Sequence, residues 1–243
     1  MAIRIELQPA YILHTRPYRD TSLLVDALTK EYGKISLVAR GARKTKNNQR
    51  YLLQPFIPLL LSWQGNGVLK TLVGVELRLL AYTLFGNHLY SALYVNELLT
   101  YLLSQDDPSP FIYMSYEELL QVLVDTSSRI EPYLRCFEFH LLDELGYGIN
   151  FVNDADTGEP FDTDKFYFFV QQHGFVSVDR HLGMTGRRFS GQDIIGIQKK
   201  EFTRLSVCQT AKILSREVFK PLLKGRKLKS RELFKMLITN KEG

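Results

Sequence analysis

The stretch TSLLVDALTKEYGKISLVA, residues 21–39, decides how the front of this chain folds. Two short apolar runs rich in Leu, Val and Ile flank the turn signal Thr29-Lys30-Glu31-Tyr32-Gly33, which reads as strand, turn, strand. Gly33 can take the positive φ that such a turn requires. Working outward, similar runs occupy residues 11–16, 59–64 and 69–77, and Gly65-Asn66-Gly67 marks a tight hairpin between the last two. With strands also at 21–28 and 34–39, the first 80 residues hold five. So few residues cannot cover both faces of a flat sheet, and closure into a barrel removes the exposed edges. An OB-like barrel fits, and an SH3-like barrel needs a similar strand count.

Beyond Leu80 the period changes from strand to helix. Residues 87–103 carry Leu89, Ala92, Leu93, Leu99 and Leu103 at helical spacing, and Ser109-Pro110 is an N-cap followed by proline at the first helical position. A third helix starts at Pro132, runs through Leu134, Phe137, Leu141 and Leu145, and stops at Gly146. Residues 150–164 are acidic and turn-rich, and a short hairpin follows around His173-Gly174. Helical character resumes at 192–197, 205–222 and 230–238, with Pro221 and Gly225 marking a break. The expected architecture is α+β: a five-stranded OB-like domain over residues 1–80, then a mainly helical domain over 81–243 with an irregular hairpin insertion at about 150–180.

Composition narrows the function classes. Lysine and arginine number 31 against 26 acids, a formal charge of +5, which favours acidic partners such as nucleic acid. Two distant cysteines, Cys136 and Cys208, supply neither a disulfide framework nor a metal-ligand spacing, and reduced thiols fit a cytoplasm. The opening residues lack a secretory apolar core, and nowhere do about 18 apolar residues run together, so a soluble, unexported protein is expected.

The segment Arg40-Gly41-Ala42-Arg43-Lys44-Thr45-Lys46-Asn47-Asn48-Gln49-Arg50 contains five basic residues and no carboxylate. Charges without local acids suit phosphate oxygens, and each such contact releases condensed counterions. Arg40, Arg43, Lys44, Lys46 and Arg50, with Arg16 and Arg19 nearby, are therefore candidate DNA contacts. A solvated loop that binds nothing is the bland reading. Tyr11, Tyr18, Tyr32, Tyr51, Phe56 and Trp63 are rings able to stack on bases. Most are needed for the barrel core, with Tyr18 and Tyr51, beside Arg16, Arg19 and Arg50, as the exceptions. A second basic cluster comprises Arg216, Lys220, Lys224, Arg226, Lys227, Lys229, Arg231 and Lys235, of which Arg226, Lys227, Lys229 and Arg231 are taken as DNA-binding. Part of it is accounted for by lysine near a helix end. Arg135, beside Leu134, Phe137 and Phe139, suits a short acidic peptide with an apolar end, against the alternative of an arginine lying over a packed helix.

No metalloprotease, hydrolase, P-loop or dinucleotide motif occurs, and the five histidines are scattered. The acids Asp154, Asp156, Glu159, Asp162 and Asp164 fail as an EF-hand because Lys165 stands where the bidentate glutamate belongs. No catalytic residue, cofactor or metal is expected.

Several segments together resemble RecO, a bacterial recombination mediator family of the RecFOR gap-repair pathway. They are Ala10-Tyr11-Ile12-Leu13-His14-Thr15-Arg16-Pro17-Tyr18, Leu37-Val38-Ala39-Arg40-Gly41-Ala42-Arg43, Leu53-Gln54-Pro55-Phe56, Leu89-Tyr90-Ser91-Ala92-Leu93-Tyr94-Val95-Asn96-Glu97-Leu98, Phe137-Glu138 with Leu145-Gly146-Tyr147-Gly148, and Leu228-Lys229-Ser230-Arg231-Glu232-Leu233-Phe234. The resemblance implies an OB fold before a helical domain and binding of single- and double-stranded DNA. It also implies strand annealing, assembly with RecR and with the C-terminal tail of single-strand-binding protein, and promotion of RecA loading. It points to Arg135 as the tail contact. Some members carry a four-cysteine zinc site after the third helix; residues 151–179 here contain no cysteine, so none is expected. The rival readings are an adaptor that docks acidic protein tails without functional DNA binding, and a metal-dependent nuclease using the 154–164 acids. The expected setting is the cytoplasm, on the nucleoid when DNA is bound, and away from membranes.

Overall fold

In a computed structural model, which describes residues 3–44 and 49–239, the barrel is built on one long strand, β1 (Arg4–Tyr18). The reading of 21–39 is realised as β2 (Ser22–Thr29) and β3 (Gly33–Ala39), paired antiparallel from Leu23 opposite Ala39 to Thr29 opposite Gly33. A one-turn helix, α1 (Gln49–Leu52), interrupts the polar connection, followed by β4 (Leu59–Gln64) and β5 (Leu69–Leu77). The closed order is β1-β2-β3-β5-β4, with β3 and β5 parallel and β4 returning to β1. This crossover order is OB-like and resolves the choice that strand count alone leaves open.

Alternate side chains of β2, β3 and β4 point inward. Val25, Ala27, Ile35, Leu37, Leu59, Leu61 and Trp63 are buried in one cluster, with Tyr32 meeting Trp63 edge-on at 5.3 Å. β1 begins at Arg4, well before the residue 11 expected from pattern, because its first half pairs with β4 and its second half with β2. Register shifts lie between Ile5 and Gln8 on one side and between Ile12 and His14 on the other, and such irregularities bend a strand around a barrel. Pro9 in the first half hides that pairing from a pattern search.

After the barrel come α2 (Gly86–Leu102), close to the stretch of helical spacing, and α3 (Pro110–Val124), starting at the proline after Ser109. Both are held to β1 by a buried polar and aromatic cluster. The Asn96 amide donates to the Leu13 carbonyl at 3.2 Å, and the Tyr116 hydroxyl donates to Asn96 at 2.6 Å. The Tyr11 ring lies 5.2 Å from Tyr116 and 5.5 Å from Tyr113, while its hydroxyl donates to Glu117, which also pairs with Arg78. Burial pushes the Tyr113 phenol up to about 12 and raises those of Tyr11 and Tyr116, so all three stay protonated donors at neutral pH.

The rest of the chain comprises α4 (Ile130–Glu144), β6 (Phe166–Val170), β7 (Gly174–Ser177), β8 (Arg188–Ser190), α5 (Gly191–Gln198), α6 (Leu205–Leu222) and α7 (Lys229–Thr239). The expected hairpin gains a third strand, in the order β7-β6-β8; β8 is too short to show a period. Phe175 is its buried centre, ringed by Phe151, Phe161, Phe169 and Phe189 at 5.2–6.1 Å. Packing divides the chain into two compact units: residues up to 128 together with those from 227, and residues 129–226. This division and the change of secondary structure at residue 80 do not coincide, since α2, α3 and α7 group with the barrel.

One close approach is decisive in the first unit. Gly33 has φ +63°, and a Cβ there would lie 1.7 Å from the Asp107 carbonyl oxygen. Its own carbonyl accepts from the Thr29 hydroxyl at 2.8 Å. Gly33→Ala combines positive-φ strain with a backbone clash and is expected to destabilise the chain by about 2–3 kcal/mol, read from the midpoint of urea unfolding.

Candidate nucleic-acid interface

The turn after β3 is positioned by a small residue. Ala42 is fully buried in the barrel core, Gly41 takes φ +68°, and the Lys44 amide donates to the Gly41 carbonyl at 3.0 Å. The Arg43 amide donates to the Thr21 carbonyl at 2.9 Å, and its guanidinium donates to the Arg19 carbonyl at 3.3 Å. These bonds bring the turn at 40–44 against the turn between β1 and β2. Arg16, Arg19, Arg40, Arg43 and Lys44 are consequently all exposed around one end of the barrel. Asp20 is the acid at that end, close in space although absent from the 40–50 segment. Among the described residues no ion pair engages these five cations or Arg50. The Arg19 guanidinium lies 5.2 Å from the centre of the half-buried Tyr18 ring. Lys46 lies outside the described residues. Arg50 and Tyr51 are exposed on α1, whose successor Leu53 enters the same core cluster as Ala42.

The second basic cluster is divided between the two units. Arg226 is exposed in the second, whereas Lys227, Lys229 and Arg231 group with the barrel. Two of these have local work. The Lys229 amide donates to Glu97 at 2.8 Å, and the Ser230 amide and hydroxyl donate to the other Glu97 oxygen at 3.0 and 2.6 Å. A carboxylate on α2 thus caps the positive end of α7. The Arg231 guanidinium stacks 5.1 Å from the Tyr94 ring centre and donates to its hydroxyl at 3.1 Å. Glu97 and Tyr94 have no local signal, because they lie some 130 positions from their partners. Lys235 lies in α7, with its side chain outside the described set.

Arg135 is placed differently from a surface contact. It is 2% exposed on α4, with its guanidinium 2.6 Å from Glu138, 3.5 Å from Glu131 and within hydrogen-bond reach of the Ser215 hydroxyl on α6, at 3.2 Å. Its charge is answered inside the fold by Glu138 and Glu131, while its Nε makes no hydrogen bond. The spacing Glu131, Arg135, Glu138 was the available signal, since acids at i−4 and i+3 lie on the arginine's own face. Burial alone would raise the Glu131 carboxyl, but Lys212, Arg135 and Arg216 bring it below the usual carboxylate range.

Models of the RecO family match both parts of the chain: Recombination protein O N terminal over residues 1–80, and Recombination protein O C terminal over residues 86–224. The chain belongs to the RecO family. It is 45% identical over 234 residues to DNA repair protein RecO of Cellvibrio japonicus, spanning 96% of this chain and 98% of that protein. The protein of the same name from Vibrio cholerae is 43% identical over 229 residues, and that of Haemophilus influenzae 42% identical over 229, each spanning 94% of this chain. They cover 93% and 95% of those relatives. The family resemblance read from residues alone is thereby shown. No helix among the described residues is long and apolar enough to cross a membrane.

The region where some RecO family members carry four zinc thiolates is organised here by carboxylates acting as hydrogen-bond acceptors. Asp154, 5% exposed, accepts from the amides of Asp156, Thr157 and Ser177. Asp156 in turn accepts from His173 at 2.8 Å and His181 at 2.6 Å, joining three segments of the insertion. An ionised carboxylate can only accept, so each imidazole gives it an Nε2 proton. These residues do not fit a four-thiolate site, and among the described residues no group of three His, Cys, Asp or Glu is placed to hold an ion.

Arg135→Ala removes the guanidinium 2.6 Å from the fully buried Glu138 and is expected to lower stability by about 3–5 kcal/mol. The double variant Arg135→Met with Glu138→Leu is expected to regain most of that loss, both measured by urea unfolding of the full chain. The hydrogen bonds from His173 and His181 hold the Asp156 carboxyl below its usual range. A depressed folded-state value gives stability that is present above about pH 4 and lost as pH falls through that lowered value. Asp156→Asn is therefore expected to flatten the fall of the thermal midpoint below about pH 4, followed by circular dichroism.

Proposed function

We propose that this chain is a DNA-binding recombination mediator of gap and break repair that works without a catalytic group. Membership in the RecO family supports a repair role. The carrying observation is the set of exposed cations without an ion pair at one end of the OB-like barrel: Arg16, Arg19, Arg40, Arg43 and Lys44, joined by Arg50 on α1. An arginine already bonded to a carboxylate has little to give a phosphate; these have no such partner among the described residues. Lys46 extends the set by sequence. In the first unit Lys227 and Lys229 offer further contacts, Arg226 is a separate candidate in the second, and Arg231 is largely engaged by Tyr94.

Annealing follows from the same charges. Neutralising phosphates on two single strands lowers their repulsion, and base pairing then drives the reaction. In this reading the protein recognises single strand coated by single-strand-binding protein, docks that protein's acidic tail and RecR, and favours RecA loading in the cytoplasm. Arg135, which also ties α4 to α6 from within, is the residue that the family resemblance assigns to that tail.

The test is a salt titration with single- and double-stranded oligonucleotides. Arg43→Glu with Lys44→Glu is expected to weaken binding to every sequence and to reduce the slope of log affinity against log salt by about one for each phosphate no longer neutralised. Unchanged affinity in a folded double variant removes the barrel end from the interface. Failure of the unmodified chain to bind in dilute buffer favours the adaptor reading, in which the cations dock acidic protein tails instead.

A further inference from the structure

We infer that Tyr51 is the base-stacking residue by which the barrel favours unpaired strands over duplex. The inference rests on the proposed DNA binding and names the feature of the ligand that the same site reads.

Tyr51 is 72% exposed, the most exposed aromatic side chain among the described residues. In the barrel its condition is singular. Tyr11, Phe56 and Trp63 are buried, Tyr32 packs edge-on against Trp63, and Tyr18 lies half-buried beneath Arg19. A ring left in water forgoes the burial that its neighbours obtain, so the fold itself gives no reason for an aromatic at this position.

The backbone that follows the ring is anchored. α1 is a single turn, but Leu52 packs on the barrel core and Leu53 enters it at 2% exposure. Pro55 bridges to Ile12 of β1, and the Phe56 carbonyl accepts from the Tyr82 amide at 3.0 Å. The segment carrying Tyr51 is thus fixed on its C-terminal side within two residues. A backbone anchored this way need not be ordered again when a base lies on the ring it carries.

Charge accompanies the ring. Arg50 precedes it and is exposed, and the other arm of the same connection leaves the core cluster at Ala42 to present Arg43 and Lys44. A cation next to an exposed ring, on a barrel that presents further cations, is the combination that binds single strands without sequence preference. Phosphates occur in duplex and single strand alike, so the cations alone cannot tell them apart. A free base face belongs to the unpaired strand, because in a duplex each face is covered by the next base pair.

The measurement compares the unmodified chain, Tyr51→Ala and Tyr51→Phe, each with a single-stranded oligonucleotide and its duplex. The single-stranded oligonucleotide carries a fluorescent adenine analogue. Tyr51→Ala is expected to lose roughly tenfold in single-strand affinity, about 1.4 kcal/mol, while keeping duplex affinity, salt slope and unfolding midpoint. Quenching of the analogue should fall with it, and Tyr51→Phe should restore both. Equal losses for both ligands, or unaltered single-strand affinity and quenching while the unmodified chain binds, overturns this inference alone. Absence of binding by the unmodified chain overturns it together with the DNA-binding reading.

Discussion

Ala10 pairs with Thr29 on one side and with Leu59 on the other, and the barrel closes through that double pairing of β1. A strand long enough to serve two neighbours in turn must bend, and its two register shifts provide the bend. Once it does, Tyr11 faces outward to take α2 and α3 through Glu117, Tyr116 and Asn96. At the far end of the same strand the turn at Arg19 receives the turn at Arg43. The proposed interface and the packing of the first helices therefore share one structural member.

Much of this was legible from residue order. The bounds of β4, β5 and α6 follow from apolar runs between turn signals, and α3 starts at the proline that Ser109 announces. What escaped had a partner far away in sequence. The first half of β1 is a strand because β4 lies beside it, and residues 4–10 alone carry little period. β8, at three residues, is defined by its neighbour β6. Exposure was harder still to read: Arg135 stands among apolar helix positions, yet what buries it is Ser215 on another helix, 80 residues away.

That contrast sorts the cations by chemistry. Arg135 has its charge balanced within its own helix and is cut off from water, which makes it a packing element with a net benefit set by what it leaves behind when removed. Arg78 and Lys70 have acids opposite them, Glu117 and Asp106. At the barrel end Arg43 has a backbone carbonyl and Arg19 a ring as neighbour instead, which orient them without neutralising them. Basic composition is thus a poor guide and pairing a good one, since only an uncompensated charge gains by meeting a polyanion.

The cap that Glu97 places on α7 bears on the order in which the chain can assemble. The first compact unit is discontinuous: its barrel, α2 and α3 precede the second unit, and α7 follows it. On a ribosome the barrel leaves the tunnel first, yet Glu97 must wait for Lys229 and Ser230, whose synthesis comes after all of residues 129–226. The second unit can complete its own packing while the first still lacks its last helix. The first unit is thus completed by a segment made only after the whole of the second.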